Sequence, residues 1–395
     1  MRLFSYLDRA LVAAESRKEY TVREPRVWPS EASAELFDKR KNAITGKCHR
    51  SSFFRMIGKP LDRQVDAIGA RKFRLGRACE EDIVGLCIAA DIHVASGVKC
   101  FSTDLCMSYE LDDVVIDPET LQAFIVEAKS YAGFYKASEL KKGKPAIANV
   151  VQAMLYLNEI KTGADLKCAI RECQAKAELD PRRKERLKVT VENLAKILDG
   201  PLQAKLAYED RAEGETFEFD ISLWEDPFDG LHYPAVDGVP WKIFTVESVY
   251  ERYRILQSYW WEARTEAIRQ LEEADIDQPP VEAPDDAQKK YEDLVGEVVR
   301  ALPASYWPPA EFEWKYDHAK IQYLFGEDLL SKTVYNEYLM VFQGRNRKAR
   351  PLPVVGDWQC RYCSYGPTCM AQSNPQYAAL AQDLVSLETE GDVAA

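Results

Sequence analysis

At 395 residues with 46% hydrophobic positions, the chain can bury a large core and is long enough for two domains or one elaborated domain. Its formal net charge of −12 argues against indiscriminate coating of nucleic acid, although a local basic groove remains compatible with it. Arg2, Asp8, Arg9, Glu15 and Arg17 interrupt the apolar residues at the start, which argues against a signal peptide or membrane span, so a cytoplasmic protein without membrane attachment is expected.

Residues 1–45 read as a polar helical segment, and residues 46–270 alternate helical and strand patterns, which implies an α/β core. Basic residues gather early, with Lys39, Arg40, Lys41, Lys47, Arg50, Arg55, Lys59 and Arg63 followed by Arg71, Lys72, Arg74 and Arg77. Such runs are either a solvated surface or one wall of a nucleic-acid channel. In "FRLGRACEEDIVGLCIAA", Glu80 shares a helical face with Ile83, Val84 and Cys87, so its carboxylate should point inward and need a partner.

The stretch from Asp113 to Lys129 reads as two strands around the turn Asp117-Pro118-Glu119-Thr120. With the connection at 118–122, Ile116 faces Phe124 and Asp113 faces Glu127, while strand alternation adds Lys129 to the same patch. Opposed carboxylates repel unless a cation neutralises them, and hard oxygen ligands suit Mg²⁺ or Mn²⁺. The alternative is an exposed strand end with an ordinary Glu/Lys pair. After Pro145, a helix carries Gln152 and Tyr156 four residues apart, either facing a bound phosphate or packed in the core with satisfied polar tips.

Residues 271–288 form an acidic, proline-containing linker, and 289–395 a helical C-terminal region ending in a disordered tail. Tyr259, Trp260 and Trp261 either stack on bases or belong to the core. Near the end, "CRYCSYGPTC" packs Cys360, Cys363 and Cys369 into ten positions, preceded by a basic cluster of Arg345, Arg347, Lys348 and Arg350. In a reducing cytosol this density points to a metal or to catalysis rather than to disulfides.

Gly76 four residues before Glu80, then Asp113, "EAK" at 127–129 and "QAMLY" at 152–156, together resemble the PD-(D/E)XK nuclease superfamily, and more narrowly its RecB-like branch. The resemblance implies a restriction-endonuclease-like core, a central mixed sheet flanked by helices. It implies a Mg²⁺- or Mn²⁺-dependent deoxyribonuclease with Glu80, Asp113 and Glu127 as metal ligands, Lys129 as catalytic lysine, and Gln152 and Tyr156 near the substrate. Many members carry histidine where Glu80 stands, and Glu81 competes with Glu80 for the role. A "Y-x-D" strand motif of the family is echoed in "AKLAYEDR", 204–211, which would make residues 165–203 an insertion.

Some RecB-like nucleases, including CRISPR-adaptation and AddB-type enzymes, hold a [4Fe-4S] cluster on one cysteine before the core and a C-x2-C-x5-C trio after it. Cys360, Cys363 and Cys369 match that spacing, and Cys48 stands where the upstream ligand would be. Four thiolates also suit zinc, although a lone cysteine joined to a remote trio is a poor zinc-knuckle pattern. The remaining cysteines, Cys79, Cys87, Cys100, Cys106, Cys168 and Cys173, read as small buried or incidental residues.

The expected function is hydrolysis of DNA, preferably single-stranded or end-containing, by a metal-activated water in recombination, repair, phage replication or defence. Recombination or helicase proteins are the implied partners. The alternative is a non-cleaving DNA-binding or assembly protein built on a nuclease-like core.

Overall fold

The computed structural model describes residues 3–16, 24–37, 44–62, 65–131, 133–178, 202–210, 213–280, 282–311, 314–315, 332, 335–336, 355–356, 363–366 and 368–369. In chain order the elements begin with α1 (Leu3–Ser16), β1 (Ser33–Glu35), β2 (Ile44–Gly46), α2 (His49–Met56) and α3 (Ala67–Ala89). Strands β3 (His93–Ser102), β4 (Met107–Ile116) and β5 (Ala123–Tyr131) precede α4 (Phe134–Lys141), α5 (Ile147–Glu159) and α6 (Gly163–Glu178). The chain continues through β6 (Gln203–Asp210), β7 (Thr216–Glu225), β8 (His232–Val236), β9 (Val239–Pro240), α7 (Val246–Glu273) and α8 (Asp285–Ala301). Two-residue strands β10 (Trp314–Lys315) and β11 (Val355–Gly356) complete the set.

The chain divides into two compact units, Met1–Lys47 with Val65–Trp261, and Cys48–Gln64 with Glu262–Ala395. The first is α/β. Its seven strands lie in the order β3-β4-β5-β6-β7-β8-β9, and every adjacent pair is antiparallel except β5 with β6. A parallel pair needs a crossover, which the chain supplies through α4, α5 and α6. Helix α5 buries Val150, Val151, Ala153, Met154, Leu155, Tyr156 and Leu157, so it is nearly apolar all round and sits in the core. The sheet adds Val98, Leu111, Val114, Ile125, Leu206 and Ile221 to the core, all fully buried. Each such aliphatic side chain contributes roughly 1.5–3 kcal/mol relative to exposure.

Of the segment expected to be helical to residue 45, the described residues hold α1 and a single 3₁₀ turn at Pro29–Glu31, and β1 and β2 pair antiparallel, with Ser33 opposite Gly46. Gly46 has φ +86, and a Cβ there would meet the Ala32 carbonyl oxygen at 2.0 Å, so only glycine fits. The basic residues Lys39, Arg40, Lys41 and Arg63 lie outside the described residues.

In the second unit, α2 carries the fully buried Phe53 and Phe54. Phe54 meets Trp307 edge-on at 4.8 Å and Tyr365 at 5.4 Å, and the Lys59 ammonium lies 4.4 Å from the Trp307 ring centre. These contacts explain why the boundary falls at Cys48 and again at residue 65 rather than at residue 46. The acidic linker is shorter than expected, because α7 runs to Glu273 and α8 starts at Asp285. Arg264 grips Glu292 with two hydrogen bonds of 2.7 Å. Among the described residues no helix is long and apolar enough to cross a membrane.

Candidate active site

The β4–β5 hairpin is present, with its turn one residue longer than the sequence reading. Asp117 Oδ1 accepts the Glu119 amide at 2.9 Å, Asp117 Oδ2 accepts the Thr120 hydroxyl at 2.7 Å, and Leu121 adopts φ +60. The connection therefore occupies 117–122, and Ile116 pairs with Ala123 while Asp113 pairs with Val126. A one-residue slip sends every side chain of a strand to the other face. Continuing the observed register sets Asp112, rather than Asp113, opposite Glu127.

Asp113 consequently leaves the expected patch. Its side chain is fully buried, its Oδ1 lies 2.7 Å from His93 Nδ1, and the same oxygen accepts the Val114 amide at 2.9 Å. Burial raises its carboxyl from the usual range, with hydrogen bonds from His93, Val114 and Cys87 opposing. Cys87, beside it, has its thiol pushed up to about 12 by burial and by the Asp113 charge. This is a buried polar pair that anchors β4 to β3, where a bulge separates His93 from Ala95.

Asp112, Glu127 and Lys129 line one cavity of about 700 Å³, together with Glu80 and Gly76 of α3 and with Gln152 and Tyr156 of α5. Asp112 Oδ2 accepts the Ala128 amide at 2.8 Å, and Lys129 Nζ donates to Glu127 Oε1. The Glu127 side chain is 1% exposed, and its Oε2 is buried without a hydrogen-bond partner. Burial raises the Asp112 carboxyl despite Lys129 and the Ala128 amide, with Glu110 and Asp113 adding repulsion. Burial also lowers the Lys129 ammonium, while Asp112 and Glu80 pull the other way. An orphaned buried carboxylate oxygen next to a carboxyl pushed up by desolvation is the donor set a hard cation satisfies.

Among the described residues no three His, Cys, Asp or Glu side chains are already drawn together at ion-binding distances. The Lys129 ammonium is the cation that Glu127 contacts. Glu80 is half-buried and lines the cavity, whereas Glu81 is exposed, so geometry selects Glu80. Gln152 Nε2 donates to Tyr156 Oη at 2.6 Å, and Tyr156 is buried with its ring stacked 5.5 Å from Tyr109. The helix pair thus belongs both to the cavity wall and to the core. Tyr208, the echoed strand motif, sits in β6 opposite Lys129, and its hydroxyl accepts from Ala146 and Asn149 at the start of α5. Of the expected insertion, α6 covers the first part, and residues 179–201 lie outside the described residues.

Sequence reasoning missed Asp112, Phe73 and Trp28, whereas Lys72 and Arg77 of the lining belong to the basic run already noted in the sequence. The missed signal was Asp117: an aspartate two residues before an amide it can cap lengthens the turn by one. Gly97, opposite Asp112 by the β3–β4 register, has φ +63, and a Cβ there would meet Glu110 Oε1 at 3.2 Å. Trp260 is core and Trp261 is exposed, the two rings meeting edge-on at 4.7 Å.

Cys48 is the N-cap of α2, with its thiol pushed up by burial. One turn on, the Ser51 hydroxyl lies 3.7 Å from Cys363 Sγ, and Arg50 Nη1 lies 3.6 Å from Cys369 Sγ. Asp62 holds the same segment by accepting the Thr368 amide at 2.7 Å and its hydroxyl at 2.6 Å. The start of α2 thus approaches Cys363 and Cys369, while among the described residues Cys48, Cys363 and Cys369 are not drawn together at ion-binding distances; Cys360, the arginine-rich cluster at 345–350 and the C-terminal tail lie outside the described residues. Cys79 and Cys173 are buried, Cys79 donating to Glu209 at 3.0 Å, while Cys168 is exposed. Comparison with models of protein families, with curated proteins and with solved structures gives no match.

Proposed function

We propose that the chain is a metal-dependent deoxyribonuclease of the PD-(D/E)XK type, RecB-like branch, acting on DNA with single-stranded character or free ends. The observation that carries the reading is Glu127 Oε2, a buried oxygen with no hydrogen-bond partner, beside Asp112 and Lys129 in an open cavity. The mixed sheet with its β4–β5 hairpin supports a restriction-endonuclease-like core.

Asp112, Glu127 and Glu80 would hold Mg²⁺ or Mn²⁺, which supplies Lewis acidity toward a phosphodiester and neutralises the carboxylates. Four carboxylates line the cavity (Glu80, Glu110, Asp112, Glu127) against three cations (Lys72, Arg77, Lys129), so without a divalent ion the site repels a phosphate. Lys129 sets an ammonium against the scissile phosphate and offsets charge that builds on it during in-line attack by water. Gln152 and Tyr156 hold the wall behind it through their mutual hydrogen bond. The test is digestion of labelled linear DNA with Mg²⁺ or Mn²⁺: wild-type protein cuts, and failure to cut any strand type or end with either ion removes the reading.

A [4Fe-4S] cluster on Cys48, Cys360, Cys363 and Cys369 is the cofactor proposed for the second unit. It is supported by the approach of Ser51 and Arg50, three and two residues after Cys48, to Cys363 and Cys369. Zinc is the competing ion; iron and acid-labile sulfide in anaerobically purified protein separate the two.

A further inference from the structure

Helix α3 presents Lys72, Phe73, Gly76, Arg77 and Glu80 to the cavity, positions i, i+1, i+4, i+5 and i+8 of one helical face. Phe73 is 51% exposed there, although a phenylalanine on a cavity rim gains nothing from water. It stands between two cations, Lys72 before it and Arg77 one turn after it. Gly76 leaves a notch in this face, since a Cβ added there would find only Ser130 Oγ at 3.8 Å. Trp28 lines the same cavity from the turn that precedes β1. The cavity thus joins an exposed aromatic rim and flanking cations to a carboxylate floor, within about 700 Å³.

Building on the nuclease reading, we propose that Phe73, supported by Trp28, is a stacking platform for a base of a single polynucleotide strand whose backbone lies on Lys72 and Arg77. The chemistry is specific to an unpaired base. Aromatic rings stack on any base face, so such a site tolerates sequence. A base inside a duplex already has both faces covered by its neighbours, so this platform rejects duplex and selects single strands or frayed ends. The notch at Gly76 lets the sugar-phosphate chain approach the helix between the platform and Glu80. Phe73 acts here as a specificity residue and leaves the hydrolytic groups untouched.

The test is fluorescence anisotropy of a short labelled oligo(dT) with the full chain in Ca²⁺, a hard cation for the same oxygen ligands, the strand being checked intact on a gel. Because Phe73 is half exposed, Phe73→Ala should fold normally. It should bind oligo(dT) about tenfold more weakly, within the span measured for loss of one base–aromatic stack, and Phe73→Trp should restore binding. Wild-type protein should bind an abasic strand of equal length about tenfold more weakly than oligo(dT), and Phe73→Ala should not distinguish the two. Lys72→Ala should weaken both strands alike and flatten the salt dependence by about 0.7 in log–log slope. Discrimination that survives in a protein that cuts nothing keeps the platform and removes the nuclease reading. Equal affinity of wild type and Phe73→Ala for oligo(dT), equal affinity of wild type for oligo(dT) and the abasic strand, or no binding by wild type overturns the proposal.

Discussion

Asp112 and Asp113 are chain neighbours with opposite surroundings, one facing the cavity and the other locked to His93 beneath the sheet. Asp112→Asn removes a charge at the proposed cation site and should lower cleavage about 10²- to 10³-fold with little loss of stability. Asp113→Asn should do the reverse: cleavage per folded molecule within a few-fold of wild type, and unfolding free energy lower by about 1–3 kcal/mol from the weakened buried pair. Denaturant titration beside a gel assay separates the two effects. The same surroundings govern Cys87, whose thiol is pushed up to about 12. At pH 8 it should alkylate far more slowly than the exposed Cys168, as peptide mapping after brief iodoacetamide treatment would read. Residue types and spacing made Glu127, Lys129, Glu80, Gln152 and Tyr156 legible in the sequence, and all five line one cavity. They could not separate Asp112 from Asp113, because two adjacent aspartates satisfy the same motif and only the pleat tells them apart.

At the scale of elements, the outcome turned on one loop. Both strands of the hairpin and the helix after Pro145 were readable from β-branched runs and apolar spacing. Proline marked the turn without setting its length, which depends on the Asp117 side chain capping Glu119 and Thr120. Those hydrogen bonds, the Thr120 hydroxyl first, hold the Asp117 carboxyl below its usual range. A carboxyl lowered on folding adds stability above its unfolded value and loses it as pH falls through its folded one. Asp117→Ala should therefore lower the denaturant midpoint at neutral pH, and the gap to wild type should close as the pH drops below the ordinary carboxylate range. An unchanging gap would remove the capping account of the register. Gly46→Ala forces a Cβ into the Ala32 carbonyl and should cost about 2 kcal/mol or more, measured by the same titration.

At the scale of the whole molecule, the sequence suggested an N-terminal segment, a core and a C-terminal region in series, whereas Cys48–Gln64 belongs with Glu262–Ala395. Nothing local marks that exchange. It depends on Phe54 finding Trp307 and Tyr365 some 250 to 310 positions away, a pairing that periodicity does not encode. The residues of the proposed cation site all belong to the first unit, so Mn²⁺ should raise the thermal midpoint with the logarithm of its concentration above Kd, by mass action on the folded state. That increment should vanish in Glu127→Gln protein, whatever its activity.

The central claim is that Asp112, Glu127 and Lys129 form a cation-dependent phosphodiesterase centre. The measurement that addresses it most directly is digestion of end-labelled single-stranded DNA in Mg²⁺ or Mn²⁺ by wild type, Asp112→Asn and Asp113→Asn side by side. The account predicts products from wild type and Asp113→Asn, cleavage by Asp112→Asn lowered about 10²- to 10³-fold, and none from wild type in EDTA. Cleavage by Asp112→Asn at the wild-type rate, or no cleavage by wild type with either ion, would contradict it.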